Sequence, residues 1–172
     1  MEAARRAEPN DAPRLAALRH EAMAEIGTAR GARLLHAQLA RQGPVVDRLG
    51  SDLGAAGPHA GSVVMAGTLD GVVVGYGSAR VDDLLDGERL GVIEELFVEP
   101  PARGVGVGEA IMTVLCRWCA DQGCTGVDGA ALPGDRRAKG FFERHGMTAR
   151  VLVMHRELRP GPGDGSGRQP PA

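Results

Sequence analysis

The segment Arg103, Gly104, Val105, Gly106, Val107, Gly108 and Glu109 sets an arginine before alternating glycines. Glycine lets the backbone come close to a ligand, because no Cβ stands in the way. The apolar run that follows starts a helix, whose first-turn N–H groups lack intrahelical partners and point outward. With the helix dipole behind them they favour a phosphate or pyrophosphate, and Arg103 adds a fixed positive charge at the mouth. Just upstream, Glu94 and Glu95 interrupt the apolar run Val92 to Val98. A carboxylate stripped of water in such a strand becomes a stronger base, which suits it to taking a proton. Strand alternation sends the two to opposite faces, so one of them looks into a cleft.

These groups need a frame. Leu90 to Val98 reads as a strand ending at a proline turn, and the helix after the glycines keeps Val107, Ile111, Val114, Leu115 and Trp118 on one face. A strand (Cys124 to Leu132), a helix (Asp135 to His145) and a final strand (about Val151 to Leu158) follow. Upstream, the runs Ser62 to Thr68 and Val72 to Val81 flank Leu69, Asp70 and Gly71, the signal of a hairpin. An acidic connection, Asp82 to Glu88, leads from it to the motif strand.

The alternating start at Glu2 to Ala7 precedes a helix capped by Asn10 or Asp11. Pro13 lies in its first turn, and Leu15, Leu18, Met23 and Ile26 form its apolar face. A second helix spans about Ala32 to Ala40. Gln42 to Gly61, rich in Gly, Pro and Ala, reads as a loop with a short helical piece at Val45 to Leu49. The order predicts a mixed α/β domain over residues 1–158, its sheet antiparallel first and parallel across the glycine helix. A ligand belongs at the carboxyl end of the central strands. From Arg159 the chain has nothing to bury, so 159–172 is expected to be a disordered tail.

Composition removes several alternatives. A chain of 172 residues suits one domain with one core. A net charge of −2 supplies no basic field, so no nucleic-acid partner is expected. No apolar stretch approaches the roughly 20 residues that span a bilayer, and the N-terminus has no apolar signal region, so the expected location is cytoplasmic, with no membrane partner. Cys116, Cys119 and Cys124 have no nearby histidine and no second pair, which argues against zinc and for reduced thiols. No metal is expected.

Three phosphate-binding signatures compete for the glycine segment. A P-loop needs Gly-Lys-Ser or Gly-Lys-Thr, which the chain lacks. A dinucleotide fingerprint needs its third glycine one residue later, although Asp128 stands at a tolerable distance. The third is R-x-x-G-x-G, at Arg103, Gly106 and Gly108, directly after a strand ending in Val98-Glu99-Pro100. This resembles the pyrophosphate-binding motif of the GNAT superfamily of acyl-CoA-dependent N-acyltransferases. The family's second signature, an Asn, an Ala three residues later, an aromatic pair and then Gly-Phe, reads here Asp135, Ala138, Phe141, Phe142, Gly146 and Met147.

The resemblance implies a GNAT-like fold and an N-acetyltransferase that moves an acetyl group from acetyl-CoA to a primary amine by direct attack in a ternary complex. It implies that backbone groups of Phe97 and Val98 pair with the pantetheine arm, and that Arg103 through Glu109 surround the pyrophosphate. Asp135, Ala138, Phe141 and Phe142 would complete the cofactor site, where the motif strand and its parallel neighbour splay apart. Because an ammonium must lose a proton before attacking a thioester, Glu94 or Glu95 would be the base. Glu94 matches a glutamate often seen in the family.

The chain also departs from the family. Asp135 stands in place of the usual Asn, keeping a helix cap. Many members use a tyrosine as general acid where this chain has Phe142, which has no hydroxyl; a water or Cys124 is left to substitute. A non-catalytic acyl-CoA-binding domain is therefore the alternative. His145 and His155 are expected to be structural or exposed. The acceptor is a small-molecule or peptide amine that Asp82, Asp83, Asp86 and Glu88 would attract if cationic, and a homodimer would be in keeping with the family.

Overall fold

The protein is described by a computed structural model at residues 1–27, 31, 32, 34, 61–156 and 158. Strand β1 (Glu2–Arg6) pairs antiparallel with β2 (Ser62–Leu69), and β2 with β3 (Val72–Asp83). Asp70 and Gly71 take φ of 49° and 82°, the left-handed geometry of a two-residue hairpin turn. Strand β4 (Arg89–Val98) is antiparallel to β3, and β5 (Gly126–Gly129) is parallel to β4, giving the order β1-β2-β3-β4-β5. This is the expected GNAT-like mixed sheet.

Helix α1 (Ala12–Ile26) covers one face, packing Leu15, Leu18 and Ala22 on Val64, Ala66, Tyr76 and Phe97. Helix α2 (Val107–Asp121) covers the other, packing Val107, Ile111, Met112, Leu115 and Cys119 on Val63, Met65, Ala79, Ile93 and Val98. Glycines let α2 lie close to the sheet. A Cβ added at Gly67 would stand 2.5 Å from Ile111 Cδ1, one at Gly77 2.6 Å from Ile111 Cγ2, and one at Gly91 2.6 Å from Cys119 Sγ. Helix α3 (Arg136–Arg144) follows β5.

Two strand expectations are corrected. β5 is confined to Gly126–Gly129 instead of Cys124 to Leu132, because its ladder to β4 runs from Leu90–Gly126 to Ile93–Gly129 and the two chains separate beyond it. The final strand is not formed at 151–156, where Val151, Leu152, Val153 and Met154 are 67 to 83% exposed. Apolar content alone did not supply a sheet partner there, and Arg150 instead forms an ion pair with Asp128 of β5. Most of the expected helix at Ala32 to Ala40, the loop Gln42 to Gly61 with its piece at Val45 to Leu49, and the tail 159–172 lie outside the described residues. Among the described residues no helix is long and apolar enough to cross a membrane.

Candidate active site

After β4, a short 3-10 turn (Pro100–Ala102) delivers the chain to the glycine segment. Gly104 and Gly106 have φ of 79° and 97°, a conformation costly for any residue with a Cβ. Gly106 is the N-cap of α2, where the left-handed backbone demands glycine; a Cβ there would lie 3.1 Å from Cγ of the exposed Glu2 side chain, which can shift aside. Buried Val107 anchors the first turn, while Val105 is 48% exposed at the tip and Glu109 points to the cleft. The first-turn N–H groups of a helix have no intrahelical partner, and here that turn borders the cleft with Gly104 and Gly108, an arrangement that fits a phosphate.

The guanidinium of Arg103 is not a free charge at the mouth. It donates to both carboxylate oxygens of Glu25 in the last turn of α1, at 3.0 and 2.6 Å, and its Nε donates to the Val98 carbonyl at 2.7 Å. It also lies 5.3 Å from the centre of the Phe97 ring. The bonded Arg103 holds the Glu25 carboxyl below the usual carboxylate range. Arg103 thus ties α1 to β4, a correction that needed the position of a helix distant in sequence.

Beyond the cradle the sheet opens. The β4–β5 pairing runs from Leu90–Gly126 to Ile93–Gly129 and stops, while β4 stays paired to β3 as far as Val98–Gly75. The resulting cleft, about 590 Å³, runs between Glu94 to Val98 on one side and Ala130, Ala131 and Leu132 on the other. At its apex the Phe142 ring packs on Gly129, its Cζ 2.8 Å from where a Cβ would stand.

A β-bulge decides where the two carboxylates point. Ser78 faces Glu95 and Ala79 faces Ile93, so Glu94 is an extra residue on β4. The bulge reverses the parity of the strand: Ile93 packs on the α2 side, whereas Phe97 packs on the α1 side and Glu95 reaches Arg19 of α1. Glu94 and Glu95 therefore line the same cleft, contrary to the alternation expected for a regular strand. Glu94 Oε1 accepts from Arg80 Nη1 at 3.1 Å, and Arg80 also holds Asp82 at 2.9 and 2.8 Å. Glu95 accepts from Arg19 Nε at 3.2 Å and from the Tyr76 hydroxyl at 2.6 Å. Both carboxylate side chains are almost fully buried, 3 and 4% exposed.

The second motif closes the other wall. The Asp135 side chain accepts from the Ala138 N–H at 2.9 Å, capping α3, which carries Phe141 and Phe142 edge to face with centroids 5.9 Å apart. Phe141 also abuts Gly108, linking α3 to the cradle. His145 Nδ1 bonds the Phe141 carbonyl at 2.9 Å, a structural contact. Cys124 does not serve as a substitute acid: it precedes Gly126, at the closed end of β5, whereas the cleft opens past Gly129. In the acidic connection, Asp83 is paired with Arg89 and Glu88 accepts from Thr125.

Comparison with known proteins agrees with this geometry. The family model described as acetyltransferase (GNAT) family matches residues 30–147. An aminoglycoside N(6')-acetyltransferase type 1 of Stenotrophomonas maltophilia is 31% identical over 110 residues, 58% of this chain and 69% of that protein. A mycothiol acetyltransferase of Geodermatophilus obscurus is 36% identical over 137 residues, 77% of this chain and 42% of that protein, so the chain spans less than half the relative's length. A crystal structure of a predicted acetyltransferase with acetyl-CoA from Clostridium acetobutylicum has the same fold, with a TM-score of 0.63 at 14% identity, covering 92% of this chain and 97% of that one.

Proposed function

Because the chain belongs to the GNAT acetyltransferase family, and is thus an acyl-CoA-dependent N-acetyltransferase, we propose that it transfers acetyl from acetyl-CoA to the primary amine of a small acceptor by direct attack in a ternary complex. The opening between β4 and β5 carries this reading, since it joins a helix-capped anion cradle to a wall bearing two buried carboxylates. The backbone from Gly104 to Glu109 binds the pyrophosphate, and the main chain of Phe97 and Val98 lines the pantetheine path. Asp135, Ala138, Phe141 and Phe142 hold the opposite wall. Glu94 and Glu95 are the groups that receive the acceptor's proton. Holding donor and amine in one cleft replaces a bimolecular encounter with an oriented one.

An amino sugar is the acceptor class favoured by the names of two relatives, the aminoglycoside N(6')-acetyltransferase and a glucosamine 6-phosphate N-acetyltransferase of Trypanosoma brucei brucei. The reading places the protein in the cytoplasm, where acyl-CoA and reduced thiols coexist, in keeping with its free cysteines. Calorimetric titration with acetyl-CoA tests it first. The wild type should bind and Gly106→Glu should not, because a residue with a Cβ cannot hold the φ of 97° that shapes the cradle without strain. Glu94→Gln and Glu95→Gln should bind acetyl-CoA yet transfer poorly to an amine panel. A wild type that binds no acyl-CoA would overturn the assignment.

A further inference from the structure

The cleft holds a hydroxyl that neither motif contains. Tyr76, the single tyrosine of the chain, stands on β3 opposite Phe97, its ring fully buried and 6.4 Å from the Phe97 ring. Its hydroxyl donates to Glu95 Oε2 at 2.6 Å, and the residue lines the same cleft as Phe142. Arg19, from α1, grips Glu95 through Nε at 3.2 Å and Nη2 at 3.1 Å. Along the same sheet face follow the Arg80–Glu94 ion pair and the buried Ser78 hydroxyl, which has no hydrogen-bond partner among the described residues. Among the described residues, the charged neighbours of the phenol's partner are Arg19 of α1, Glu94 of β4 and Arg80 of β3.

We infer that Tyr76 protonates the departing thiolate, with Glu95 as its proton partner, and so supplies what Phe142 cannot. The inference rests on the transferase reading above. Glu95 first takes a proton from the acceptor's ammonium. The amine nitrogen then forms its bond to the acyl carbon, and the electron pair of the breaking carbon–sulfur bond passes to sulfur. Tyr76 gives its phenolic proton to that sulfur, and Glu95 returns its proton to the phenolate oxygen. The second amine proton leaves to solvent, so amide, thiol and one released proton account for every atom.

The coupling matters because a phenol holds its proton more tightly than a thiol does, with reference values of about 10 against 8.5. Tyr76 alone would be a reluctant donor. A protonated carboxyl at hydrogen-bond distance resets the phenol as it gives, which removes that cost, and Arg19 keeps the carboxylate in place throughout. The bulge at Glu94 is what brings Glu95 onto the face where Tyr76 can reach it.

Transfer from acetyl-CoA to sisomicin, glucosamine 6-phosphate and spermidine, followed from neutral to alkaline pH, tests this with Tyr76→Phe, Phe142→Tyr and the double variant. Tyr76→Phe keeps the ring and leaves Glu95 with Arg19, so its melting temperature should stay near that of the wild type. Its kcat should fall about 100-fold, the low end for general acid–base catalysis because thiolate leaves readily. KM for acetyl-CoA should hold, and the alkaline decline of kcat, where the donor loses its proton, should disappear. Adding Phe142→Tyr should restore part of the rate. A Tyr76→Phe protein with wild-type kcat overturns the inference alone, as does a loss that leaves the pH profile unchanged and is not rescued. A wild type that binds no acetyl-CoA overturns the transferase reading and this inference with it.

Discussion

Gly77→Ala probes the link between the sheet and the cradle. A Cβ at this position would stand 2.6 Å from Ile111 Cγ2 and 2.9 Å from Leu115 Cδ1. Carbon atoms in contact sit about 3.5–4.0 Å apart, so the overlap is roughly 1 Å. Ile111 is β-branched and stiff at χ1, and both side chains are fully buried. The helix must therefore move, at a cost of about 1–3 kcal/mol. In a chain of 172 residues each kcal/mol lowers the melting temperature by about 2–4 °C, giving a drop of roughly 2–12 °C. Without overlap the exchange would be neutral or stabilising, since alanine restricts the unfolded chain.

The two outcomes thus differ in sign. Because α2 begins at the cradle, acetyl-CoA affinity should fall together with stability. Gly71→Ala is the control: its φ of 82° strains an alanine but nothing lies within 4 Å, so stability should drop with affinity intact. In a double-mutant cycle, Ile111→Ala removes Cγ2, and the pair should cost less than the sum of the single changes. Unchanged melting and affinity in Gly77→Ala, or strict additivity, would refute the close-packing argument.

Two further predictions concern titration and reactivity. Asp11 accepts from Arg5 at 2.7 and 2.9 Å and from the Glu8 N–H at 2.8 Å, and these bonds, the Arg5 side chain first, hold its carboxyl below 3.8. Its contribution is complete above the ordinary value and is lost as pH falls through the lower folded one. Asp11→Asn should therefore cost about 1 kcal/mol at neutral pH, a figure reduced because Arg5 is 42% exposed. In urea titrations the gap from wild type should close in acid below 3.8, and a gap that persists there would contradict the assignment. Burial pushes the Cys119 thiol up to about 12, and the side chain has no exposed surface. Thiol titration of the native protein should leave Cys119 unlabelled until denaturant is added; labelling at the rate of Cys116 and Cys124 would disprove it.

Local signals in the sequence were sufficient for the strand–turn–helix around the glycines, the Asp70-Gly71 hairpin and the Asp135 cap, because each depends on neighbours within a few residues. The pairing of strands was not local. The bulge that turns Glu94 and Glu95 to one wall exists only in the register of β4 against β3, so the period of the β4 sequence could not reveal it. Tyr76, on an earlier strand and outside both motifs, carries no family warrant for an acid's role in the sequence, because its partner Glu95 lies on another strand. Arg103 was identified, but its engagement by Glu25 depends on where α1 ends.

The unpaired stretch of β4 beyond Ile93 is, in effect, a sheet edge kept indoors. An open edge on a protein surface invites strands from other molecules and hence aggregation. Here the edge faces Ala130, Ala131 and Leu132 across a confined cleft, with the Phe142 ring at its apex. These side chains share a cleft of about 590 Å³, which suits a single slender ligand arm better than a further strand with side chains on both faces. Narrowness itself is therefore selective: it lets the fold keep reactive backbone groups available without making the protein sticky.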